Sequence, residues 1–107
     1  MVRNVTPVEL EAYLRAADNK PMLLDVRENW EYACCHIVGS THIPMSLICS
    51  RLEELNPDEE IIVVCHHGVR SWQVARYLAN NGFSNVKNLA RGVDGWAKEV
   101  DKSMPTY

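Results

Sequence analysis

Cys65 directly follows Ile61-Ile62-Val63-Val64 and opens the segment Cys65-His66-His67-Gly68-Val69-Arg70, which runs into Ser71. These residue types at this spacing suit nucleophilic chemistry on an anion. Four β-branched residues in a row read as a strand covered on both faces. In parallel sheets, ligands gather where strands end at their carboxyl edge. Gly68 allows the tight curl that a positive φ gives. A curled loop turns successive N–H groups inward as an anion-binding nest, and the helix expected after it adds its positive N-terminal end. That field favours thiolate over thiol at Cys65, with Arg70, His66 and His67 adding donors and charge. The predicted result is a sulfur nucleophile at the centre of an anion cradle. The bland alternative is a small buried cysteine below polar surface histidines. Cys65, His66 and His67 have the wrong spacing for a closed metal site, so no metal is expected.

The charge pattern points the same way. The 107 residues carry 11 Lys and Arg against 14 Asp and Glu, a formal charge of −3. Residues 61–93 contain Arg70, Arg76, Lys87 and Arg91 and no Asp or Glu at all. Along the chain this stretch reads as a local positive field for a small anion, or as an ordinary solvated basic face. Nucleic acid is not expected, because the chain is acidic overall, lacks a Lys/Arg cluster and has only 7% aromatics.

Those residues need a scaffold, and the sequence supplies its elements. Thr6-Pro7-Val8-Glu9 is a capping box with Pro at the first helical position, followed by an apolar face of Leu10, Tyr13 and Leu14. Met22–Val26 reads as a buried strand, Trp30–Cys34 as a helical turn, and Thr41–Ile43 before Pro44 as a short extended piece. Leu47, Ile48, Leu52 and Leu55 share helical spacing up to Asn56-Pro57-Asp58. Beyond the Cys65 loop, Val74, Ala75, Tyr77 and Leu78 mark a helix that Gly82 ends. Val86–Leu89 is a strand, and Val93, Trp96, Ala97 and Val100 mark a last helix. Alternating strands and helices imply an α/β fold, a parallel sheet with helices on both faces.

Length and composition allow one domain, 1–107, of ordinary globular character, at 47% hydrophobic and 23% charged residues. No apolar run reaches the roughly 18 residues of a membrane span. Met1-Val2-Arg3-Asn4 lacks the apolar core of a signal peptide, so a cytoplasmic location is expected. Cys34, Cys35, Cys49 and Cys65 show neither a disulfide framework nor a CxxC pair and are read as reduced thiols. Cys49, between Ile48 and Ser50, is expected in the core, as is Trp96. Asp25 with Arg27 is expected to brace a loop. His36 and His42 are expected to satisfy nearby backbone groups. Trp72 is expected to shield the pocket mouth or to pack.

Three ordered motifs carry a family resemblance over nearly the whole chain. They are Leu23–Glu28 with Trp30-Glu31-Tyr32, His36–Ser40 and Ile43-Pro44; then Cys65–Ser71; then Asn88-Leu89, Arg91-Gly92-Val93 and Trp96. Together they resemble the single-domain rhodaneses, a sulfurtransferase family. The resemblance implies a rhodanese-like α/β fold with about five central parallel strands. It implies that Cys65 accepts sulfane sulfur as a persulfide, with the backbone N–H groups of His66, His67, Gly68, Val69, Arg70 and Ser71 as the substrate cradle and no cofactor. The implied partners are a small anionic donor, thiosulfate-like, and a thiophilic acceptor such as cyanide or a thiol. A relay module fed by a partner protein needs the same cradle. A phosphatase or arsenate reductase on this fold would use a loop one residue longer than the six positions from Cys65 to Arg70. The chain departs from the family pattern at His66, where many thiosulfate-active members carry Arg, and at Cys35 and Arg91, where Gly is usual. Cys35 thereby offers a second thiol beside Cys34.

Overall fold

Ile61–Val64 forms the central strand of a five-stranded parallel sheet, as its unbroken β-branched run requires. The computed structural model describes residues 2–107; Met1, the first residue of the expected leaderless start, lies outside them. The strands are β1 (Arg3–Val5), β2 (Met22–Asp25), β3 (Thr41–His42), β4 (Ile61–Val64) and β5 (Val86–Leu89), in the order β1-β5-β4-β2-β3. Three α-helices connect strands, α1 (Pro7–Ala16), α2 (Asn29–Cys34) and α3 (Val69–Asn80), and α4 (Gly92–Glu99) follows β5. All four pairings are parallel, with β4 between β2 (Leu24 opposite Val63) and β5 (Asn88 opposite Val63).

The alternation of β4 side chains divides the core in two. Ile61 and Val63 pack with Val74, Ala75 and Leu78 of α3 and with Ile48 and Leu55. Ile62 and Val64 pack with Leu10 of α1 and with Val93 and Trp96 of α4. Both faces of the sheet are therefore covered, as a continuous apolar strand demands. Trp96 is in the core, as expected.

The capping box at α1 is complete. Thr6 Oγ1 accepts from the Glu9 N–H at 3.2 Å and the Glu9 carboxylate accepts from the Thr6 N–H at 2.8 Å. Val26 lies just past β2, yet its N–H still donates to the Val64 carbonyl at 2.9 Å. Of the predicted α1 face, Leu10 is buried and Leu14 packs on the same cluster. Tyr13 instead lies at the surface, where its hydroxyl donates to Glu60.

Three further features differ from the sequence reading. β1 has no apolar run to announce it. It is an edge strand that pairs only with β5, Arg3 opposite Lys87 and Val5 opposite Leu89. Leu47–Leu55 is not an α-helix but two 3₁₀ turns, Met45–Leu47 and Cys49–Glu54, with a break at Arg51 (φ −118°, ψ 19°). The third correction follows from the second: Cys49 is exposed rather than in the core. A 3₁₀ turn steps about 120° per residue, so with Ile48 facing inward its neighbour faces out. Among the described residues no helix is long and apolar enough to cross a membrane.

Candidate active site

The Cys65 loop leaves the carboxyl end of β4 and is held from behind by α4. The Cys65 carbonyl accepts from the Val93 N–H at 2.9 Å and the His66 carbonyl from the Asp94 N–H at 3.1 Å. Both donors are first-turn amides of α4, which have no partner inside their own helix. Because every peptide here is trans, the N–H groups of His66 and His67 point the opposite way, away from α4. Gly92 permits this approach: a Cβ there would stand 2.2 Å from the Cys65 carbonyl oxygen.

The loop then curls as predicted. Gly68 has φ +102° and caps α3. Its N–H donates to Cys65 Sγ at 3.1 Å, and the Ser71 hydroxyl lies 3.2 Å from the same sulfur. Asn88, on neighbouring β5, fixes this turn from outside. Its Nδ2 donates to the Gly68 carbonyl at 3.2 Å and to Asn4 Oδ1 at 2.9 Å. Cys65 is 1% exposed and packs with the Val63 and Val74 cluster. It is thus a deeply placed thiol with two polar groups aimed at its sulfur.

The other predicted residues take different places. Ser71 is buried beside the sulfur, and Val69 points to solvent. His66 and His67 form the outer rim, their rings 3.9 Å apart. Burial, and then the charge of His67, lower the pKa of the His66 imidazole and favour its neutral form. Arg70 turns to Glu31 of α2, donating from both Nη atoms at 2.7 and 2.8 Å. Trp72 is half-buried and lines an open groove of about 390 Å³ beside the loop, with His67, Gly68, Val69 and Asn88. Glu31, part of the Trp30-Glu31-Tyr32 motif, is the loop neighbour whose pairing with Arg70, 39 positions away, the sequence pattern did not reveal.

The stretch without carboxylates is not without them in space. Glu31 pairs with Arg70, Glu60 with Lys87, Glu99 with Arg91, and Asp94 lies 3.8 Å from His67. Three of its four cations are neutralised by acids from elsewhere in the chain, so of the two readings of this stretch the local positive field is largely cancelled.

Asp25 and Arg27 form the predicted brace. Both are fully buried, with Arg27 Nε and Nη2 donating to the carboxylate at 2.9 and 2.7 Å. The same guanidinium donates to the carbonyls of Glu31 at 3.2 Å and Cys35 at 2.7 Å, tying β2 to both ends of α2's last turn. His36 Nδ1 meets the Tyr32 carbonyl at 2.9 Å and His42 Nε2 the Arg27 carbonyl at 2.7 Å, the backbone role expected of both. Cys34 is exposed and Cys35 buried, and burial pushes the Cys35 thiol pKa up.

The Arg70 guanidinium, helped by the Glu28 N–H and the Tyr107 hydroxyl, outweighs burial and holds the Glu31 carboxyl at about 2. A depressed folded-state pKa adds stability that is fully present above the unfolded value near 4.5 and disappears as pH falls towards 2. With Arg70 one-third exposed, that contribution is on the order of 2 kcal/mol. The urea midpoint should therefore fall across this acid window. Glu31→Gln should start lower and fall less; an unchanged slope would show that the pair does not govern acid stability.

A five-stranded parallel sheet with the Cys65 loop at its carboxyl edge matches the fold of rhodanese-like domains. The chain belongs to that family, whose profile, the rhodanese-like domain, matches residues 6–99. The family includes sulfurtransferases and sulfur carriers. A sulfurtransferase of Allochromatium vinosum is 36% identical over 85 residues, covering 78% of this chain and 79% of that protein. A Bacillus subtilis relative named "Putative sulfur carrier protein YrkF" is 37% identical over 100 residues. That match covers 92% of this chain but only 54% of the relative, so the chain spans about half its length. The crystal structure of a rhodanese-like domain protein from Staphylococcus aureus superposes with a TM-score of 0.84 at 32% identity, covering 92% of this chain and 95% of that one.

Proposed function

We propose that this chain, read as one rhodanese domain over 1–107, is a sulfurtransferase in which Cys65 carries sulfane sulfur as a persulfide. The observation that carries the reading is the Cys65 sulfur itself, held between the Gly68 N–H at 3.1 Å and the Ser71 hydroxyl at 3.2 Å, where α3 begins. In the forward half-reaction the Cys65 thiolate attacks the outer sulfur of a donor such as thiosulfate. The donor's S–S bond breaks, and sulfite leaves with the electron pair. In the second half a thiophile such as cyanide attacks the terminal sulfur of the persulfide, thiocyanate departs and the thiolate returns. Loop amides that point away from α4, together with the end of α3, stabilise negative charge on the terminal sulfur.

One specific observation favours a second source of sulfur. Arg70 is engaged by Glu31 through both Nη atoms, and His66 stands where a guanidinium could grip an oxyanion. The mouth of the site is thus poorly equipped for a dianion. A hydropersulfide, supplied by a relay protein or a small thiol, needs no such grip. The same engagement of Arg70 speaks against a phosphatase, which would need that guanidinium on the phosphate.

Incubation of the purified chain with thiosulfate, and separately with glutathione persulfide, followed by intact mass measurement, tests the proposal. One sulfur atom should be gained, mapped to the peptide containing Cys65 and removed by cyanide. A gain only from glutathione persulfide would select the relay reading. No gain from either donor, or a gain on another cysteine, overturns sulfur transfer through Cys65.

A further inference from the structure

The segment after α4 folds back across the mouth of the Cys65 loop. The Met104 N–H donates to the Asp101 carbonyl at 3.1 Å, and its side chain packs on the cluster of Leu10, Val93 and Trp96. Residues 105–107 then run over the site. The Tyr107 ring stacks on the His66 ring, centroids 4.0 Å apart and planes 15° apart, and meets Trp30 edge-on at 5.4 Å. Its hydroxyl accepts from Arg27 Nη1 at 2.8 Å and donates to Glu31 Oε2 at 2.9 Å. Arg27 and Glu31 are both buried, so this seat is built from fixed polar groups and not from mobile surface side chains.

The two anchors of Tyr107 fall at opposite ends of the loop. One is His66, the residue after the nucleophile. The other is Glu31, which grips Arg70 at the loop's far end. Tyr107 thus touches one end of the loop directly and reaches the other through Glu31. With Pro105 and Thr106 it lines a narrow cleft against Cys35, His66, Val93 and Asp94. Cys65, the next residue to His66, is 1% exposed.

We propose that Tyr107 is a gate residue: seated on His66, Arg27 and Glu31 it closes the Cys65 site, and reagents reach the sulfur when it lifts. Tyr107 itself keeps about a third of its surface in water, and Pro105 limits the conformations of the strap that carries it. Its contacts are therefore few enough to break without unfolding the sheet. The gate goes beyond the sulfur-transfer reading and does not depend on it, since it governs any reagent that approaches Cys65.

The test is the rate of Cys65 alkylation by iodoacetamide, followed by peptide mass mapping in the full chain. A closed site reacts in proportion to the fraction of time it is open, typically about 10% or less for a minor state. Tyr107→Ala should therefore speed Cys65 alkylation at least about tenfold. Tyr107→Phe keeps the stack but loses both hydrogen bonds and should fall between. Exposed Cys34 and Cys49 should react at their parental rates, and the urea midpoint should stay close to the parent's. A Cys65 rate within about twofold of the parent in Tyr107→Ala would overturn the gate, because the open fraction would then not have changed. So would an acceleration seen only together with loss of the unfolding transition. Neither readout requires sulfur transfer, so a failed gate and a failed sulfur-transfer reading remain distinguishable.

Discussion

Cys65→Ser is expected to lower sulfur transfer by at least about 10⁴-fold while leaving the fold intact. The chemical half follows from the nucleophile. A serine hydroxyl ionises far less readily than a thiol and is a much weaker nucleophile toward sulfur, so no covalent carrier forms. The structural half follows from the surroundings of Sγ. The Gly68 N–H and the Ser71 hydroxyl both lie within hydrogen-bond reach of this position, so a buried serine oxygen would have partners. The expected stability change is about 1 kcal/mol or less. Thiocyanate release from a sulfane donor and cyanide measures the first quantity, and urea unfolding the second. Residual transfer above about 1% of the parent, set against the expected loss, would move the carrier role to another thiol. Buried Cys35, which shares a cleft with His66 and Tyr107, is the thiol placed to take that role.

Gly92→Ala should be the most damaging of the small substitutions. Gly92 has φ +54°, and an added Cβ would stand 2.2 Å from the Cys65 carbonyl oxygen, 2.4 Å from the His66 carbonyl oxygen and 2.6 Å from the His66 carbonyl carbon. All three are backbone atoms and cannot swing aside. The left-handed conformation costs roughly 1–2 kcal/mol for any residue with a Cβ, and forced overpacking adds about 1–3 kcal/mol. A total near 3 kcal/mol lowers Tm by roughly 12 °C or more in a domain of this size. Relaxation must push the loop off α4, so sulfur loading of the surviving folded protein should also fall. Gly39→Ala provides the contrast. It too has a positive φ, +87°, but nothing lies within 4 Å of its added Cβ. Only the conformational cost of about 1 kcal/mol remains there. Equal Tm losses in the two variants would show that the close approach of Gly92 to the loop is unimportant.

What was legible in the sequence is what is encoded locally. Thr6 with Glu9, the run Ile61–Val64, and Gly68 three residues after Cys65 each express their structure within one turn or one strand. The spacing of Leu47, Ile48, Leu52 and Leu55 was local too, but the same residues fit two 3₁₀ turns. That helical geometry sends Cys49 outward. β1 is different in kind. Arg3-Asn4-Val5 has little intrinsic strand signal and is extended because β5 offers it an edge. The least legible part is the rim of the site. Glu31 and Tyr107 reach it from 39 positions before and 37 positions after Arg70, and no periodicity announces such pairings. The carboxylate-free stretch misled for the same reason. Its partners were supplied by tertiary structure, and counting charges along the chain does not see them.

Arg91, like its neighbour Gly92, has a positive φ, +65°, although it carries a full side chain. The turn that presents Gly92 to the loop therefore begins under backbone strain, which the surrounding packing holds in place. Energy already stored at this corner is energy that a glycine at position 91 would return to the folded state.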